Sequence, residues 1–120
     1  MNSMIDMLHK TMDAAVERHQ VLANNLANVN TPGYRRQDLV FKDAFSQAIE
    51  AQKHVSSKVA WQGVTPELFE DTRSIARPDG NNVSTQTELA EMSQNEIFYR
   101  TMTKIISAKL QTLRKATASQ

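Results

Sequence analysis

Few side chains in this 120-residue sequence have the types and spacing that catalysis or metal binding requires. His9, His19 and His54 lack ligand spacing among themselves and relative to carboxylates, so we predict surface or seam histidines. The carboxylates at positions 67–71 stand close together, but nothing else marks an acid–base pair, and they are more typical of a solvated face. Without cysteine, thiolate chemistry and disulfides are excluded. We therefore predict that the protein is not an enzyme and has no catalytic residues, no metal site and no cofactor.

Loops that bind phosphate, calcium or nucleic acid are also missing from the sequence. The three glycines are isolated and do not form a phosphate loop. The stretch "DGNN", which begins at Asp79, lacks the later ligand positions and the terminal glutamate of a calcium loop. Arg35 and Arg36 do not by themselves make a nucleic-acid surface, and the formal net charge is only +1. The sequence thus predicts neither a nucleic-acid partner nor a small-molecule substrate.

Side-chain amides are the polar groups that the sequence does concentrate, in the stretch "LANNLANVNTPGY". Asn24, Asn28 and Thr31 are spaced i, i+4, i+7 and share one helical face, while Asn25 lies beside the apolar seam. Because amides both donate and accept, this row could bind neighbouring helices. The alternative is that Asn28 and Asn30 only end the helix. That alternative leaves Asn24 and Asn25 unexplained.

The element that positions these amides is a long N-terminal helix, predicted within residues 1–31 and running from about residue 3 to 29. Its apolar residues recur at alternating spacings of three and four over four heptads, as in a coiled coil. This narrow stripe favours a helical partner over packing within a globular domain. The residues that we assign to this half of the assembly seam are Ile5, Leu8, Met12, Leu22, Leu26 and Val29.

A second long helix is predicted at the C-terminus, within residues 84–116. Thr85 to Glu88 matches a capping box, and the helix should run from about residue 86 to 115. Its apolar stripe also has helical spacing. The residues that we assign to this half of the assembly seam are Met92, Tyr99, Met102, Ile106, Leu110 and Leu113.

Between the long helices the sequence predicts a turn, a short helix and an irregular segment. Pro32 and Gly33 fit a type II turn, and within residues 32–52 a short helix should start with Asp38 as its cap. Residues 53–82 lose the helical period; "KVAWQG" is a candidate strand, and Thr65-Pro66-Glu67 a candidate helical turn. We therefore predict a mainly α fold in one domain, residues 1–120, with long N- and C-terminal helices that need helical partners, one short helix after the turn and an irregular, partly β central segment.

Targeting signals give little help. The first residues, "MNSMIDMLHK", lack a basic region ahead of an apolar segment and lack a cleavage site. No apolar run approaches the roughly 18 residues that span a bilayer. By these ordinary signals we expect a cytosolic protein without a cleaved signal peptide.

The amide-rich stretch also resembles the N-terminal signature of the flagellar axial proteins, which comprise rod, hook and hook-associated subunits. That signature reads A-N-N-x-A-N-x-x-T-P-G-Y. The short chain, the "DGNNV" stretch and the single long helix after it are most similar to the proximal-rod members. The residues that match the signature are Ala23, Asn24, Asn25, Ala27, Asn28, Thr31, Pro32, Gly33 and Tyr34.

The resemblance implies a structural subunit of the proximal rod in the flagellar basal body. Such subunits leave the cell through the flagellar type III export apparatus without a cleaved signal, which would place this protein in the periplasmic space. The N- and C-terminal helices would pair as a coiled coil and self-assemble into the torque-transmitting tube around the export channel. The implied partners are further copies, other rod subunits, the rod–MS-ring adaptor protein and the export apparatus.

An alternative function stays open at this stage. A helical-bundle adaptor, or another secretion-related binding protein, would use the same helices against one partner. A rod subunit should form open, head-to-tail contacts, whereas an adaptor should form a closed complex.

Overall fold

The structure is a computed structural model that describes residues 3–119, with the side chains of all of these except Ser3 and Ser57. The predicted mainly α fold is confirmed: two long helices pack against each other, and short elements lie between them in the sequence. In chain order the elements are α1 (Ser3–Ala27), β1 (Gln37–Val40), α2 (Lys42–Ala51), α3 (Ser57–Gln62), β2 (Glu67–Glu70) and α4 (Thr85–Ala118).

The long helices run antiparallel. Ile5 and Leu8, near the start of α1, pack in one buried cluster with Ile106 of α4. Further along α1, the Nδ2 of Asn95 donates to the backbone oxygen of Ala15 at 2.7 Å. Each fully buried leucine or isoleucine contributes about 1.5–3 kcal/mol to folding, so this seam holds the pair together.

The two helices do not end at the same level. Ile5 lies opposite Ile106, so the first described residue of α1 lies opposite position 108 of α4. Residues 109–118, which we term the α4 extension, therefore continue about 15 Å beyond the first described turn of α1. Leu110 and Leu113 of the α4 extension remain 46% and 41% exposed. The helical seam thus continues past the point where α1 can cover it.

A second, smaller core forms in the middle of the chain. Trp61 of α3 is buried with Ala48 of α2 and Val64, and Met7 of α1 packs against this cluster. The ring of Phe45 meets the Trp61 ring edge-on at a centroid distance of 5.4 Å. This core attaches α2 and α3 to the beginning of α1.

The central elements correct several of the sequence predictions. The helix expected from Asp38 begins only at Lys42, because residues 37–40 form β1 and pair antiparallel with β2. The candidate strand "KVAWQG" is the helix α3, for which the Oγ of Ser56 accepts from the backbone N of Val59 at 3.3 Å. The expected helical turn at Thr65-Pro66-Glu67 is wrong as well, since Glu67 begins β2. Tertiary pairing decides all of these short segments.

The ends of the long helices also differ from the prediction. α1 ends at Ala27 rather than near residue 29, and α4 continues to Ala118. The capping box at Thr85 is not formed: Ser84 is the N-cap, and its Oγ accepts from the backbone N of Thr87 at 3.4 Å. Glu88 does not cap the helix because its carboxylate faces the interior.

The resulting molecule is elongated, measuring 66 × 29 × 15 Å. Its radius of gyration is 18.1 Å, against about 14 Å for a compact chain of this length. Its accessible surface is 8158 Å², against about 6500 Å² for a compact protein of this mass. The helix pair therefore exposes more surface than an ordinary small domain.

Two turns with positive backbone φ pack against each other near the end of α1. Gly33 has a φ of 75°, which the predicted type II turn requires, and Gly80 has a φ of 85°. The backbone N of Gly33 donates to the oxygen of Asp79 at 2.8 Å. A Cβ on Gly80 would lie only 3.3 Å from the Cα of Gly33. Both the conformation and the close approach favour glycine at position 80.

Replacing Gly80 by alanine should therefore lower the free energy of unfolding by about 1–2 kcal/mol, the cost of a left-handed L-residue. Gly63 provides the matched control, because its φ is −93° and open space surrounds the position of its missing Cβ. Gly63→Ala should change stability by less than about 0.5 kcal/mol. Urea unfolding followed by circular dichroism measures both, and equal losses would contradict the packing of these turns.

Candidate functional site

Asn25 occupies the centre of the site and is completely buried. Its Nδ2 donates to the backbone oxygen of Gln37 at 2.7 Å, and its Oδ1 accepts from the backbone N of Gln37 at 2.9 Å. The amide thus pairs with one residue of β1 as a neighbouring strand would. Only asparagine or glutamine supplies a donor and an acceptor in this geometry. This pair fixes where the chain runs after the turn that follows α1.

The other amides of the predicted row lie together on the exposed end of α1. The Nδ2 of Asn28 donates to the backbone oxygen of Asn24 at 2.8 Å, and the Thr31 hydroxyl donates to the Oδ1 of Asn28 at 3.1 Å. The Nδ2 of Asn24 donates to the hydroxyl of Tyr34 at 3.2 Å. These bonds order the helix end within one chain. The predicted contact of this row with neighbouring helices stays a prediction.

The hydroxyl of Tyr34 is shared between two asparagines, since it also donates to the Oδ1 of Asn25 at 3.2 Å. Burial raises the pKa of Tyr34, partly offset by the bond from Asn24, while the nearby charge of Glu88 raises it further. The phenol therefore stays protonated and remains a donor at neutral pH. Tyr34, the last residue of the signature, therefore folds back against α1.

The "DGNN" stretch binds the turn that follows α1. Asn81 is completely buried, and its Nδ2 lies 2.9, 3.1 and 2.8 Å from the backbone oxygens of Asn28, Val29 and Thr31. These three residues follow Ala27, the last residue of α1, so Asn81 provides a partner for carbonyls of the turn. A distant segment thus fixes the path of the chain directly after α1.

Arg77 binds the same turn. Its guanidinium donates to the backbone oxygen of Val29, and also to that of Val83 at 2.6 Å. α1 has no basic residue in its own last turn. A cation close to the carboxyl end of a helix is stabilised by the helix dipole. Arg77 places such a charge at Val29, two residues beyond the last residue of α1.

Asn82 joins the two segments that flank the small sheet. Its Oδ1 accepts from the backbone N of Arg36 at 2.7 Å, and its Nδ2 donates to the backbone oxygen of Asp71 at 2.7 Å. The two adjacent asparagines thus have different tasks. Asn81 holds the turn after α1, and Asn82 holds the start of β1 against the end of β2.

A buried ion pair connects these segments to α4. The Nε of Arg36 donates to the Oε1 of Glu88 at 2.6 Å, and the Glu88 side chain has no exposed surface. The Oε2 of Glu88 accepts from Asn25 at 3.2 Å, so both carboxylate oxygens are bonded. Arg36 also reaches Asp71 at 3.2 Å. We refer to these groups together as the polar cluster, which consists of Asn25, Arg36, Asp71, Asn82 and Glu88.

Further ion pairs extend from the polar cluster along α1. Arg36 lies 3.6 Å from Asp38, whose carboxylate accepts two bonds from Arg18, at 2.9 and 3.2 Å. Arg18 also donates to Glu91 of α4 at 2.6 Å. Carboxylates and guanidiniums therefore alternate along one chain of contacts. In order, these are Glu88 of α4, Arg36, Asp38 of β1, Arg18 of α1 and Glu91 of α4. Arg18 bridges two carboxylates and Arg36 bridges three, from different parts of the fold, which makes the junction specific in geometry.

The surroundings of the two arginines keep them charged. Burial lowers the pKa of Arg36. Its hydrogen bond and attraction to Glu88, together with its contacts with Asp71 and Asp38, outweigh this effect, so the pKa of Arg36 lies above its ordinary value. The pKa of Arg18 is also raised, chiefly by its hydrogen bond to Asp38. Both guanidiniums are permanent cations within the junction.

The pKa of Asp71 lies well below its ordinary value of 3.8. The hydroxyl of Ser74 is the largest cause, and backbone donors from Ser74 and Arg73 and the guanidinium of Arg36 act in the same direction. Burial opposes these bonds without cancelling them. Asp71 is therefore ionised wherever the protein is near neutral pH, as the polar cluster requires.

The predicted assembly seam is divided by the structure into a covered and an open part. Some of its residues are buried between α1 and α4, some are partly buried, and three are exposed. The buried ones are Ile5, Leu8, Leu22 and Ile106; the partly buried ones are Met12, Leu26, Val29, Met92 and Met102; the exposed ones are Tyr99, Leu110 and Leu113.

The candidate residues for other chemistry are not brought together. His9, His19 and His54 are all exposed, and within residues 3–119 no group of three or more His, Asp or Glu side chains could hold a metal ion. Glu67 and Glu70 lie exposed on β2, while Asp71 is engaged by Arg36. In the same part of the chain, no helix is both long and apolar enough to cross a bilayer.

Sequence reasoning did not find most members of the polar cluster. The sequence marks Arg36 only as one of two arginines too few for a nucleic-acid surface, Glu88 as part of a capping box and Asn82 as part of a stretch that fails as a calcium loop. The one usable signal was the pair of amides at Asn24 and Asn25 within a helical pattern, because such residues are unfavourable there without partners. Their partners lie far along the chain and have no local signature.

Comparison with known proteins defines the class first. Residues 8–35, which contain most of α1 and the following turn, match the family model described as "Flagella basal body rod protein". The flagellar rod proteins are therefore the class to which the fold and the signature point.

Relatives that align with most of this chain identify one family within this class. The flagellar basal body rod protein FlgB of Aquifex aeolicus is 31% identical over 114 residues, which are 92% of this chain and 90% of the relative. FlgB of Borrelia hermsii is 30% identical over 115 residues, 84% of this chain and 85% of the relative. FlgB of Bacillus subtilis is 28% identical over 120 residues, 92% of this chain and 89% of the relative. The chain belongs to the FlgB family of flagellar basal body rod proteins, which confirms the predicted family.

Removing the charge of Glu88 tests the buried ion pair. Glu88→Gln leaves Arg36 without its closest counter-charge in a buried position and should lower the free energy of unfolding by about 3 kcal/mol. Glu96 is the matched control on the same helix: it pairs with Arg100 at 2.7 Å, but its side chain is 57% exposed. Glu96→Gln should cost less than about 0.5 kcal/mol. Urea unfolding that gave equal losses for the two variants would contradict a structural role of the polar cluster.

The depressed pKa of Asp71 predicts a pH dependence of stability. A carboxyl whose folded-state pKa is lowered stabilises the protein above its unfolded value, near 3.8, and the contribution is lost as pH falls through the folded value. Asp71→Asn should therefore lower the unfolding free energy at pH 7 by about 1–2 kcal/mol. The difference between parent and variant should shrink steadily below about pH 4.

Unfolding curves measured from pH 7 to pH 2 give this difference directly. Glu67→Gln is the control at pH 7, since Glu67 is exposed and forms no ion pair with another described residue. It should change stability by less than about 0.5 kcal/mol. A parent–variant difference that stayed constant down to pH 2 would mean that the Asp71 carboxylate is not the group responsible.

Proposed function

We propose that the protein is a structural subunit of the proximal rod, which self-assembles through its terminal helices into the torque-transmitting tube around the export channel. Membership of the FlgB family supports the rod. The observation that carries the assembly mode is the α4 extension, an apolar helical face that no helix within residues 3–119 covers.

The apolar face of the α4 extension continues the seam that pairs α4 with α1. Leu113 lies seven residues after Ile106 and eleven after Met102, so the three side chains project from one side of the helix. Ile106 is buried by α1, but Leu110 and Leu113 are not. Helices of a neighbouring copy would complete this seam as α1 does within the chain. Burying each leucine fully would favour association by about 1.5–3 kcal/mol before the costs of association.

This contact is heterologous, because the α4 extension of one copy meets a different surface of the next. Heterologous contacts that do not close into a ring propagate into helical assemblies. A tube of such subunits needs each copy to behave as one body under load. The polar cluster supports that requirement, since it joins α1, β1 and α4 through buried bonds.

Membership of the FlgB family also supports the proposed partners and location. Other rod subunits, the rod–MS-ring adaptor protein and the flagellar type III export apparatus are the partners. The protein reaches the rod, in the periplasmic space, by export without a cleaved signal peptide.

The open part of the seam gives the decisive variant. Leu110→Asp combined with Leu113→Asp would place two carboxylates in the proposed interface, and an unpaired buried charge costs several kcal/mol. Cells carrying this variant should export the subunit but build no rod, hook or filament, and they should be non-motile. Circular dichroism of the purified variant should match the parent, because both leucines are exposed in the single chain.

The control changes charge equally on another side of the same helix. Ala108→Asp combined with Thr112→Asp adds two carboxylates at exposed positions on the side of α4 that faces away from Leu110 and Leu113. This variant should remain motile. Normal assembly of the leucine variant would remove the seam from the contact. If the purified parent formed only a closed complex with one partner, the adaptor function would replace the proposed one.

A further inference from the structure

Charge is distributed very unevenly along this nearly neutral chain. After Glu96 the sequence contains five Lys or Arg residues and no Asp or Glu, whereas nine bases and thirteen acids precede this point. α4 therefore ends in a basic segment, and the rest of the molecule is acidic. In a molecule 66 Å long, such a distribution gives two regions of opposite charge.

The basic charges of the α4 extension are free to bind a partner. Arg114 and Lys115 are exposed on adjacent positions, and Lys104 lies on the same side of α4, eleven residues before Lys115. None of the three forms an ion pair with a described residue, although Arg100 on the same helix pairs with Glu96. Leu110, with its exposed apolar side chain, borders Arg114 one turn earlier.

The outer side of α1 offers the complementary charges. Asp13 and Glu17 are spaced i, i+4 on one exposed face, and neither forms an ion pair with a described residue. Val16 lies beside them and is 45% exposed. Each surface thus combines two charges of one sign with a neighbouring apolar side chain.

The two surfaces cannot meet within one chain. Ile5 and Ile106 lie at the same level of the antiparallel pair, and Asp13 and Arg114 extend from that level in opposite directions by eight residues each. At the helical rise this separates them by about 24 Å along the axis. That distance exceeds the Debye length of about 10 Å at 0.1 M salt, so their attraction within one molecule is screened.

We propose that Arg114 and Lys115 at the basic end of α4 in one copy bind Asp13 and Glu17 on the outer face of α1 in the next copy. This inference rests on the proposed function and specifies how neighbouring copies are aligned. A lengthwise shift between copies brings the α4 extension of one onto α1 of the other. The charges then favour this axial position, because a lengthwise shift away from it separates the two basic side chains from Asp13 and Glu17.

Charge reversal on each surface tests the contact. One variant carries Asp13→Lys and Glu17→Lys, and the other carries Arg114→Glu and Lys115→Glu. Each alone should raise the concentration for half-maximal assembly at least about tenfold, since attractive pairs become repulsive ones. Sedimentation velocity and electron microscopy of the purified full chain, at low and high salt, give this concentration.

Mixing the two charge-reversal variants is the decisive experiment. The normal basic end of the first variant faces the normal acidic surface of the second, and the reversed surfaces also match each other. The equimolar mixture, and a chain carrying all four reversals, should recover assembly to within about threefold of the parent. Recovery by mixing shows that neither variant had lost assembly through misfolding.

The outcomes separate this inference from the function on which it rests. If the parent assembles and both variants assemble equally well, the charge contact is wrong and the seam alone acts. If the parent never assembles under any salt condition, both this contact and self-assembly are overturned. If the parent binds phosphatidylglycerol vesicles through Arg114 and Lys115 while the Asp13 and Glu17 variant assembles normally, the basic end serves a membrane and the inference is wrong.

Discussion

The buried ion pair between Arg36 and Glu88 is the contact on which the remaining structure depends. Glu88 lies one turn inside α4 without any exposed surface, and an ionised carboxylate in that position is tolerable only with partners for both oxygens. Arg36 and Asn25 provide them. Since these partners come from the turn after α1 and from α1 itself, the long helices can pack at this end only when the intervening chain is already in place. The helix pair and the small sheet therefore form together.

The two ends of the helix pair are held by different forces. At the start of α1 the contact is apolar, between Ile5, Leu8 and Ile106. At its end the contact is made by the polar cluster and its ion pairs. Apolar burial has no directional preference, whereas hydrogen-bonded charges require one arrangement. The polar end thus fixes the register, and the apolar end adds stability that tolerates small shifts.

Local patterns were sufficient to predict the long helices but not the elements between them. Heptad spacing persists over many residues, so α1 and α4 could be recognised without knowledge of their surroundings. The strands β1 and β2 have four residues each, and only their pairing with each other makes them strands. α3 did have a local signal, the capping serine Ser56, which the apolar content of "KVAWQG" obscured.

Side-chain contacts in the candidate site could also be predicted only where the sequence carries a local signal. The sequence marked Asn25 as unusual within a helix, and the structure supplies the reason in its bonds to Gln37 and Glu88. No pattern could have paired Glu88 with Arg36, because the two are 52 positions apart. The exposed leucines of the α4 extension were assigned to assembly from spacing alone, and that role remains a prediction.

The contacts on the turn after α1 have a consequence for the order in which the chain folds. Asn81 and Arg77 bind backbone oxygens of this turn from 48 to 53 positions further along the sequence. A ribosome releases α1 well before these residues, so the turn that ends the nascent helix lacks these partners while the next fifty positions are synthesised. Closing so long a loop costs entropy that local helix formation does not, and contacts of this separation form late. The chain consequently fixes the end of its first long helix only after about two thirds of it has been synthesised, and an N-terminal fragment ending before "DGNN" remains unable to complete the fold.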